Sequence, residues 1–232
     1  MKVAVSSSCD SCPVRERAAC AALTPGERAD LARLGRARSY ARGETVFAAG
    51  EHLEACATLT AGLLKISHVD SAGNERILSL IHPAGFVGEM FAPVAHHDVV
   101  ALTESQLCLF PRREYEAAIA AYPALAQALL RRAATDLYDA RAQIALDSRR
   151  SAGAKLASLL LALARAASHS PCHAADSFEL PLTRGEMAGL LGLTIETVSR
   201  QLGRLEKDGI LARSGARGLR VTDAAGLEAL VG

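Results

Sequence analysis

A glycine turn between two short amphipathic helices, in the C-terminal quarter of the chain, constrains the fold most strongly. Thr183 and Glu186 have the capping-box spacing of a helix start, and Thr194 can cap a second helix soon after Gly192. The residues predicted to face the core are Met187, Leu190, Leu191 and Leu193, followed by Ile195, Val198, Leu202 and Leu205 in the second helix. Residues 182–211 are therefore predicted to form a helix-turn-helix.

The outward face of the second helix would then carry Glu196, Ser199 and Arg200. Side chains near the N-terminal end of such a helix reach base edges in the DNA major groove. Arginine can donate to guanine O6 and N7, glutamate can accept from cytosine N4, and serine fits a base or a phosphate. The candidates for phosphate contacts are Thr183, Thr197, Arg204 and Arg217. The alternative is an amphipathic helix pair whose charged face meets only solvent.

The flanking sequence supports a DNA-binding unit. Short strands are predicted at residues 178–182, 210–213 and 219–222, and the last two would form the wing of a winged helix. Between Arg149 and Arg220 there are eleven Lys or Arg residues against six Asp or Glu. The net charge of the whole chain is only +1, which excludes a uniformly basic coat that holds nucleic acid without specificity.

The N-terminal half has a different pattern. From about residue 38 to residue 110, short apolar runs alternate with glycine turns, which predicts a β-roll or barrel. After Pro111 no glycine occurs until Gly153, and the composition favours helix. We therefore predict an α+β chain with a cysteine-bearing arm at 1–24, a β-roll at 25–111, a dimerisation helix at 112–147 and a winged helix at 148–232. No apolar run is long enough to span a bilayer, so we expect a cytoplasmic protein with no membrane partner.

The predicted dimerisation helix carries a heptad pattern. Leu130, Leu137 and Ile144 recur every seven residues, and Ala133 and Ala140 follow the first two by three residues. Large and small apolar residues alternating in this way form a seam along which two helices approach closely. The alternative is a helix that packs only on its own domain.

Three of the six cysteines lie within twelve residues, at Cys9, Cys12 and Cys20. Their thiolates could wrap around one cluster, and a [4Fe-4S] cube requires a fourth ligand, for which Cys108 is the candidate. The same four residues could instead hold zinc, or act as redox-active thiols without a metal. Cys108 alone would more often be a small buried apolar residue. The remaining cysteines, Cys56 and Cys172, are predicted to be bystanders.

Residues 182–200 closely resemble the recognition segment of the Crp/Fnr superfamily, and Glu-Thr-Val-Ser-Arg at 196–200 resembles its Fnr branch. The N-terminal cysteine string resembles that of Fnr-like regulators of photosynthetic and nitrogen-fixing bacteria. The setting of Cys108 resembles the place of the fourth cysteine in Fnr-type oxygen sensors. The resemblance covers nearly the whole chain.

The resemblance implies an oxygen-responsive homodimer that binds a [4Fe-4S] cluster and controls transcription when oxygen is limiting. Glu196, Ser199 and Arg200 would contact bases in an inverted repeat of TTGAT-type half-sites. RNA polymerase would be contacted by exposed loops such as residues 71–74, and no catalytic residue is assigned. The alternatives are a zinc-stabilised or small-ligand-responsive DNA-binding module and an electron-transfer protein.

The region after Gly85 bears on small-ligand binding. Residues 85–90 resemble the start of the phosphate-binding cassette of cyclic-nucleotide regulators, but residues 95–100 contain no arginine to neutralise a phosphate. Cyclic AMP binding is therefore disfavoured. The adjacent His96 and His97 would point to opposite faces of a strand, so we predict exposed loop histidines and not a metal or haem site.

Overall fold

A computed structural model of the chain describes residues 9–147, 151–168, 175–215 and 217–231. The first eight residues of the predicted arm, Cys172 and Ala216 lie outside the described residues. The predicted α+β fold class is confirmed. The chain divides into two compact units, with the boundary between Asp139 and Ala140. Among the described residues, no helix combines the length and the apolar character needed to cross a membrane.

The N-terminal unit begins with two short 3-10 turns, Cys9–Ser11 and Ala19–Ala22, which lead into helix α1, Pro25–Leu34. Thr24 caps α1 in a reciprocal capping box with Glu27. This helix was not predicted from the sequence, because only Leu31 among its ten residues is buried and it lacks the apolar stripe of an amphipathic helix.

Eight antiparallel strands then form the β-roll that the sequence predicts. The strands are β1 Arg36–Tyr40, β2 Thr45–Phe47, β3 Ala55–Ala61, β4 Leu64–Val69, β5 Glu75–Ile81, β6 Phe86–Val87, β7 Asp98–Ala101 and β8 Ser105–Pro111. They make two four-stranded sheets, ordered β1-β8-β3-β6 and β2-β7-β4-β5. Strands β1 and β6 escaped prediction because β1 is mostly polar and β6 has only two residues.

The predicted helical region 112–147 is two helices rather than one. Helix α2 spans Arg112–Ala121 and helix α3 spans Pro123–Asp147. Tyr122 between them is extended, as expected for the residue before a proline, and Pro123 opens the next helix. Only α3 therefore carries the heptad seam, while α2 buries Tyr115 and Ala118.

A single core joins the arm, the roll and the start of α3. Its buried members are Leu23, Leu31, Cys56, Phe110, Tyr115, Ala118 and Leu125. Half-buried residues packed against it include Cys20, Cys108 and Leu129. We call this set the junction core. It is distinct from the core between the two sheets, which contains Tyr40, Leu59, Leu64, Leu107 and their neighbours.

The C-terminal unit has the predicted winged helix-turn-helix. Its elements are α4 Ala152–Ala167, β9 Ser177–Glu179, α5 Arg184–Leu191, α6 Ile195–Lys207, β10 Leu211–Ser214, β11 Gly218–Val221 and α7 Ala224–Ala229. The three strands form an antiparallel sheet in the order β10-β11-β9. Helix α4 buries the apolar face that the sequence indicates, with Leu156 and Leu160 fully enclosed.

Candidate DNA interface and cysteine site

The turn between α5 and α6 is built as the sequence predicts. The Thr183 hydroxyl accepts a hydrogen bond from the Glu186 amide at 3.1 Å, and the Glu186 carboxylate accepts one from the Thr183 amide at 2.8 Å. Gly192 ends α5 in the left-handed conformation, which glycine adopts without steric cost. The Thr194 hydroxyl then accepts from the Thr197 amide and caps α6.

The inner face of α6 differs from the prediction at its first residue. Val198, Leu202 and Leu205 are buried, as expected. Ile195 was predicted to face inward, but 52% of its surface is exposed. The prediction was wrong because α5 places Gly185, which has no side chain, opposite the start of α6. Helical periodicity shows which residues of α6 share a face, but it does not show whether α5 has a side chain that covers each of them.

The outer face of α6 carries the three predicted base-contacting residues. Glu196 and Arg200 are exposed and Ser199 is half-buried. Hydrogen bonds from the backbone amide of Glu196 and from Thr194 lower the pKa of the Glu196 carboxyl, so it remains a charged acceptor at neutral pH. Arg200 Nη2 lies 3.4 Å from Thr197 Oγ1, which leaves the other guanidinium nitrogens available to a base.

Sequence analysis did not single out Arg184, the first residue of α5. Its Nη1 atom donates to Ser199 Oγ across the two helices at 3.3 Å. The guanidinium thus stands beside a predicted base-contacting hydroxyl. Its position directly after the Thr183 cap could have indicated a phosphate contact, because phosphates commonly bind at a helix N-terminus.

The predicted phosphate contacts occupy two places. Thr183, Arg184 and Arg217 line one cavity of about 190 Å³ between the helix-turn-helix and the wing. The wing is tied to α6 because Arg213 Nε donates to Glu206 Oε1 at 2.6 Å. Arg204 lies elsewhere on α6, with its Nε 3.6 Å from a carboxylate oxygen of Asp208.

Helix α3 displays the predicted dimer seam on its surface. Leu130, Leu137 and Ile144 are 71%, 51% and 72% exposed, and Ala140 is exposed as well. The first two turns of α3 pack on their own domain through Leu125 and Leu129. Three large apolar side chains repeated on one exposed face indicate a surface that another copy would cover.

The arm brings its cysteines toward Cys108. Cys12 and Cys20 pack against a small cluster formed by Val14, Ala18 and Ala84, and Cys20 and Cys108 both pack against the junction core. Cys12, Cys20 and Cys108 are free thiols, and all four predicted ligands are half-buried. Cys56, predicted to be a bystander, is fully buried in the junction core.

The four thiols also interact electrostatically. Burial, together with the negative charges of Cys9, Cys12 and Cys20, raises the pKa of Cys108 to about 12. Burial, Cys12 and Cys9 likewise raise the pKa of Cys20. Within the described part of the chain, no three His, Cys, Asp or Glu side chains form a group that could hold a single metal ion. The thiols are neighbours without being gathered around one point.

Two residues hold this region in place. Arg28 donates to the carbonyl oxygens of Cys20, Ala21 and Leu23 at 3.1 to 3.2 Å, and its charge lowers the pKa of Cys20. Gly35, which follows α1, gives Cys108 its space. A Cβ atom at position 35 would lie 2.9 Å from Cys108 Sγ and 3.0 Å from the Phe110 ring.

The cassette-like segment of the roll lines a second cavity, of about 180 Å³. Its walls are mostly apolar, with Phe47, Phe86 and Val99 among them, and Glu89 and His97 supply polar groups. From Gly85 to Val100 the sequence contains no Lys or Arg that could neutralise a cyclic phosphate.

The side chains of His96 and His97 are not directed to opposite faces, as they would be in a strand. His96 and His97 lie in the loop before β7, not in a strand, and their ring nitrogens both contact the Glu89 carboxylate. His96 is exposed, as predicted, whereas His97 is half-buried. Strand alternation does not apply to them because the loop turns both rings toward one acceptor.

Gly35→Ala tests the packing around Cys108. We expect the N-terminal unit to lose about 1 to 3 kcal/mol of stability, because the added methyl overpacks the Cys108 contact. Gly26→Ala, in the first turn of α1 with open space at its Cβ, should cause no loss. All four tyrosines precede Ala140 and the chain has no tryptophan, so tyrosine fluorescence during urea denaturation follows this unit alone. Equal stability of the two variants would contradict the close packing.

Comparison with known proteins identifies both units. Residues 37–122 match the family model of cyclic nucleotide-binding domains, and residues 154–230 match that of Crp-like helix-turn-helix domains. The transcriptional activator protein FnrL of Cereibacter sphaeroides is 37% identical over 94% of this chain and 90% of its own length. The nitrogen fixation regulation protein FixK of Bradyrhizobium diazoefficiens is 30% identical over 96% of this chain and 93% of its own.

The fold is similar to that of solved regulators. The structure of FixK2 from Bradyrhizobium japonicum superposes with a TM-score of 0.76 and 27% identity, over 85% of this chain and 98% of that one. The resemblance stated from residues 182–200 is therefore confirmed across both units. The chain belongs to the Crp/Fnr family of transcription regulators, whose members bind DNA as dimers and are not enzymes.

Proposed function

We propose that this chain is an oxygen-responsive transcription regulator that holds a [4Fe-4S] cluster with Cys9, Cys12, Cys20 and Cys108. As a homodimer it would bind an inverted repeat of TTGAT-type half-sites and control genes needed when oxygen is limiting. The observation that carries the proposal is the packing of Cys20 and Cys108 against one junction core, with Cys12 beside Cys20. The similarity to FnrL, named a transcriptional activator, supports it.

The donor set fits the proposed group. Four cysteine thiolates are the usual ligands of a [4Fe-4S] cluster, which when bound supplies an oxygen-sensitive redox centre. Each cysteine would bind a different iron, so the ligands need to surround a cube and not a single ion. Arg28 keeps a positive charge next to the Cys20 segment, which offsets the negative charge of the thiolates.

The junction core offers a route from the cysteines to the dimer seam. Cys20 and Cys108 touch the same core as Leu125 and Leu129, which lie in the first two turns of α3. Ordering of the arm would fix this core and the start of α3. The ordered start of α3 would then position the seam from Leu130 onward for contact with a second copy. Loss of the cluster would make this part of α3 less ordered.

The operator follows from the outer face of α6. Arg200 would donate to guanine O6 and N7, Glu196 would accept from cytosine N4, and Ser199 would lie between them at a base or phosphate. Thr183, Thr197, Arg204 and Arg217 would bind phosphates, and Arg184 would join them. RNA polymerase would meet exposed turns such as residues 71–74, which Asp70 stabilises by accepting hydrogen bonds from Ala72 and Asn74.

A second candidate is a regulator controlled by a small ligand rather than a cluster. The cavity of about 180 Å³ in the roll favours this alternative, because it joins apolar walls to the Glu89 and His97 side chains. The absence of Lys and Arg between Gly85 and Val100 makes a phosphate ligand unfavourable, so cyclic AMP is not expected. A zinc ion on the four cysteines is the corresponding alternative for the arm.

Alanine substitution of each predicted ligand tests the cluster. Protein purified without oxygen should contain about four iron atoms and four sulfides per chain. Replacement of Cys9, Cys12, Cys20 or Cys108 should remove most of both. Cys56→Ala should leave both unchanged, because Cys56 belongs to the core and not to the ligand set. Stoichiometric zinc without iron, or an equal loss of iron in Cys56→Ala, would contradict the assignment.

Leu137→Glu tests the dimer seam. A charge in the middle of the seam should leave the cluster-loaded protein monomeric in sedimentation experiments. Operator affinity should then fall by about 10²-fold or more, because two linked half-site contacts become one. Thr135→Glu introduces the same charge on the same exposed helix but on the side away from the seam, and should remain dimeric. A dimeric Leu137→Glu protein would disprove this interface.

Arg200→Ala tests base recognition. We expect a loss of about 1 to 3 kcal/mol per half-site and loss of discrimination at one guanine position, measured by binding to operators changed base by base. Arg165→Ala, on helix α4, removes the same charge from the same unit and should leave both the affinity and the base preference unchanged. An Arg200→Ala protein that keeps its preference for guanine would show that another residue contacts that base.

A further inference from the structure

Helix α6 begins with an exposed apolar side chain. Ile195 is the one member of the predicted inner face that is largely exposed, at 52%. It follows the Thr194 cap and precedes Glu196, so it lies at the N-terminal end of the helix where base edges are contacted. An apolar side chain at such a place contacts either solvent or a base.

Neighbouring side chains position Ile195 within the recognition surface. Residues four apart on a helix are neighbours, so Ile195 stands next to Ser199 as Glu196 stands next to Arg200. Two adjacent rows therefore face outward, and Ile195 begins one of them. Arg184 from α5 donates to Ser199 in that same row, which makes the row part of the proposed interface.

The exposure of Ile195 is built into α5. A Cβ atom at Gly185 would lie 3.8 Å from Ile195 Cδ1, at ordinary contact distance. Glycine at this position therefore leaves open the side of Ile195 that a side chain on α5 would cover. Alanine would be more stable than glycine inside a helix, so the open side has a cost in helix stability.

From this geometry we infer that Ile195 is a further specificity-determining residue, whose side chain contacts the C5-methyl group of a thymine in each half-site. The thymine methyl is the only apolar group that a base pair presents in the major groove. Glu196, Ser199 and Arg200 cannot recognise it by hydrogen bonds. The inference rests on the proposed function only in requiring that the protein binds a duplex operator.

Uracil scanning provides the test. The operator is the duplex that the wild-type dimer itself selects from random sequences, and each thymine is replaced by uracil in both half-sites, which removes only the methyl group. At one symmetric pair of positions, wild-type affinity should fall by about fifteenfold, or about fourfold for each methyl group that loses its contact. Ile195→Ala should bind the original operator more weakly and show less than about a twofold effect of uracil at that pair.

Two variants control for folding and for general apolar effects. Ile195→Val is a smaller change that should keep an intermediate uracil effect. It replaces Ile195→Ala as the test variant if Ile195→Ala does not fold. Leu230→Ala removes another exposed apolar side chain from the same unit and should behave as wild type. Uracil sensitivity that is the same in wild type and both Ile195 variants would overturn the inference, as would a wild type that is insensitive at every thymine. Failure of the wild type to select any duplex would instead refute the proposed function together with this inference.

Discussion

The junction core packs the arm, the β-roll and the start of α3 together in the N-terminal unit. It contains residues from the end of the arm, from α1, from strands β3 and β8, and from helices α2 and α3. Cys20 and Cys108 lie at its edge, and Leu125 and Leu129 bring α3 to the same place. On the proposed function, a change in the position of the arm would shift the start of α3 through direct packing, because close-packed cores transmit strain. The proposed sensing site and the start of the proposed dimerisation helix share one set of contacts.

The recognition element depends on fewer contacts, and most of them are local. Two caps and a left-handed glycine fix the angle between α5 and α6, and the Glu206–Arg213 ion pair fixes the wing against α6. Local hydrogen bonds determine these features of the C-terminal unit. On the proposed function, regulation would therefore act through the number and spacing of recognition helices, which a dimer sets.

Features set by residues close together in the sequence could be predicted, whereas features set by long-range packing could not. The Thr183 and Thr194 caps, the turn at Gly192 and the wing were predictable because each depends on residues a few positions apart. The exposed seam of α3 was predictable because its period is regular. The exposure of Ile195 was not, since it depends on a missing side chain at Gly185. Helix α1 and the His96 and His97 contacts with Glu89 also escaped prediction, because they depend on long-range packing or on loop shape.

The convergence of the cysteines was predictable only in part. Spacing alone grouped Cys9, Cys12 and Cys20, but the contribution of Cys108 came from a family resemblance and needed the fold to bring strand β8 to the arm. The roles of Gly35 and Arg28 could not be predicted from the sequence. The close approach of Cys108 to Gly35 and the three hydrogen bonds that Arg28 donates to carbonyl oxygens correspond to no sequence motif. Such supporting residues are set by tertiary geometry.

We propose that the cysteine site controls operator binding through dimerisation. The test is to admit air in steps to one anaerobic sample while following the visible absorbance of the cluster, the sedimentation state and the operator affinity together. We expect all three to change in parallel, with dimers dissociating to monomers as the absorbance disappears. Operator affinity and dimer fraction that stay constant after the absorbance is lost would contradict it.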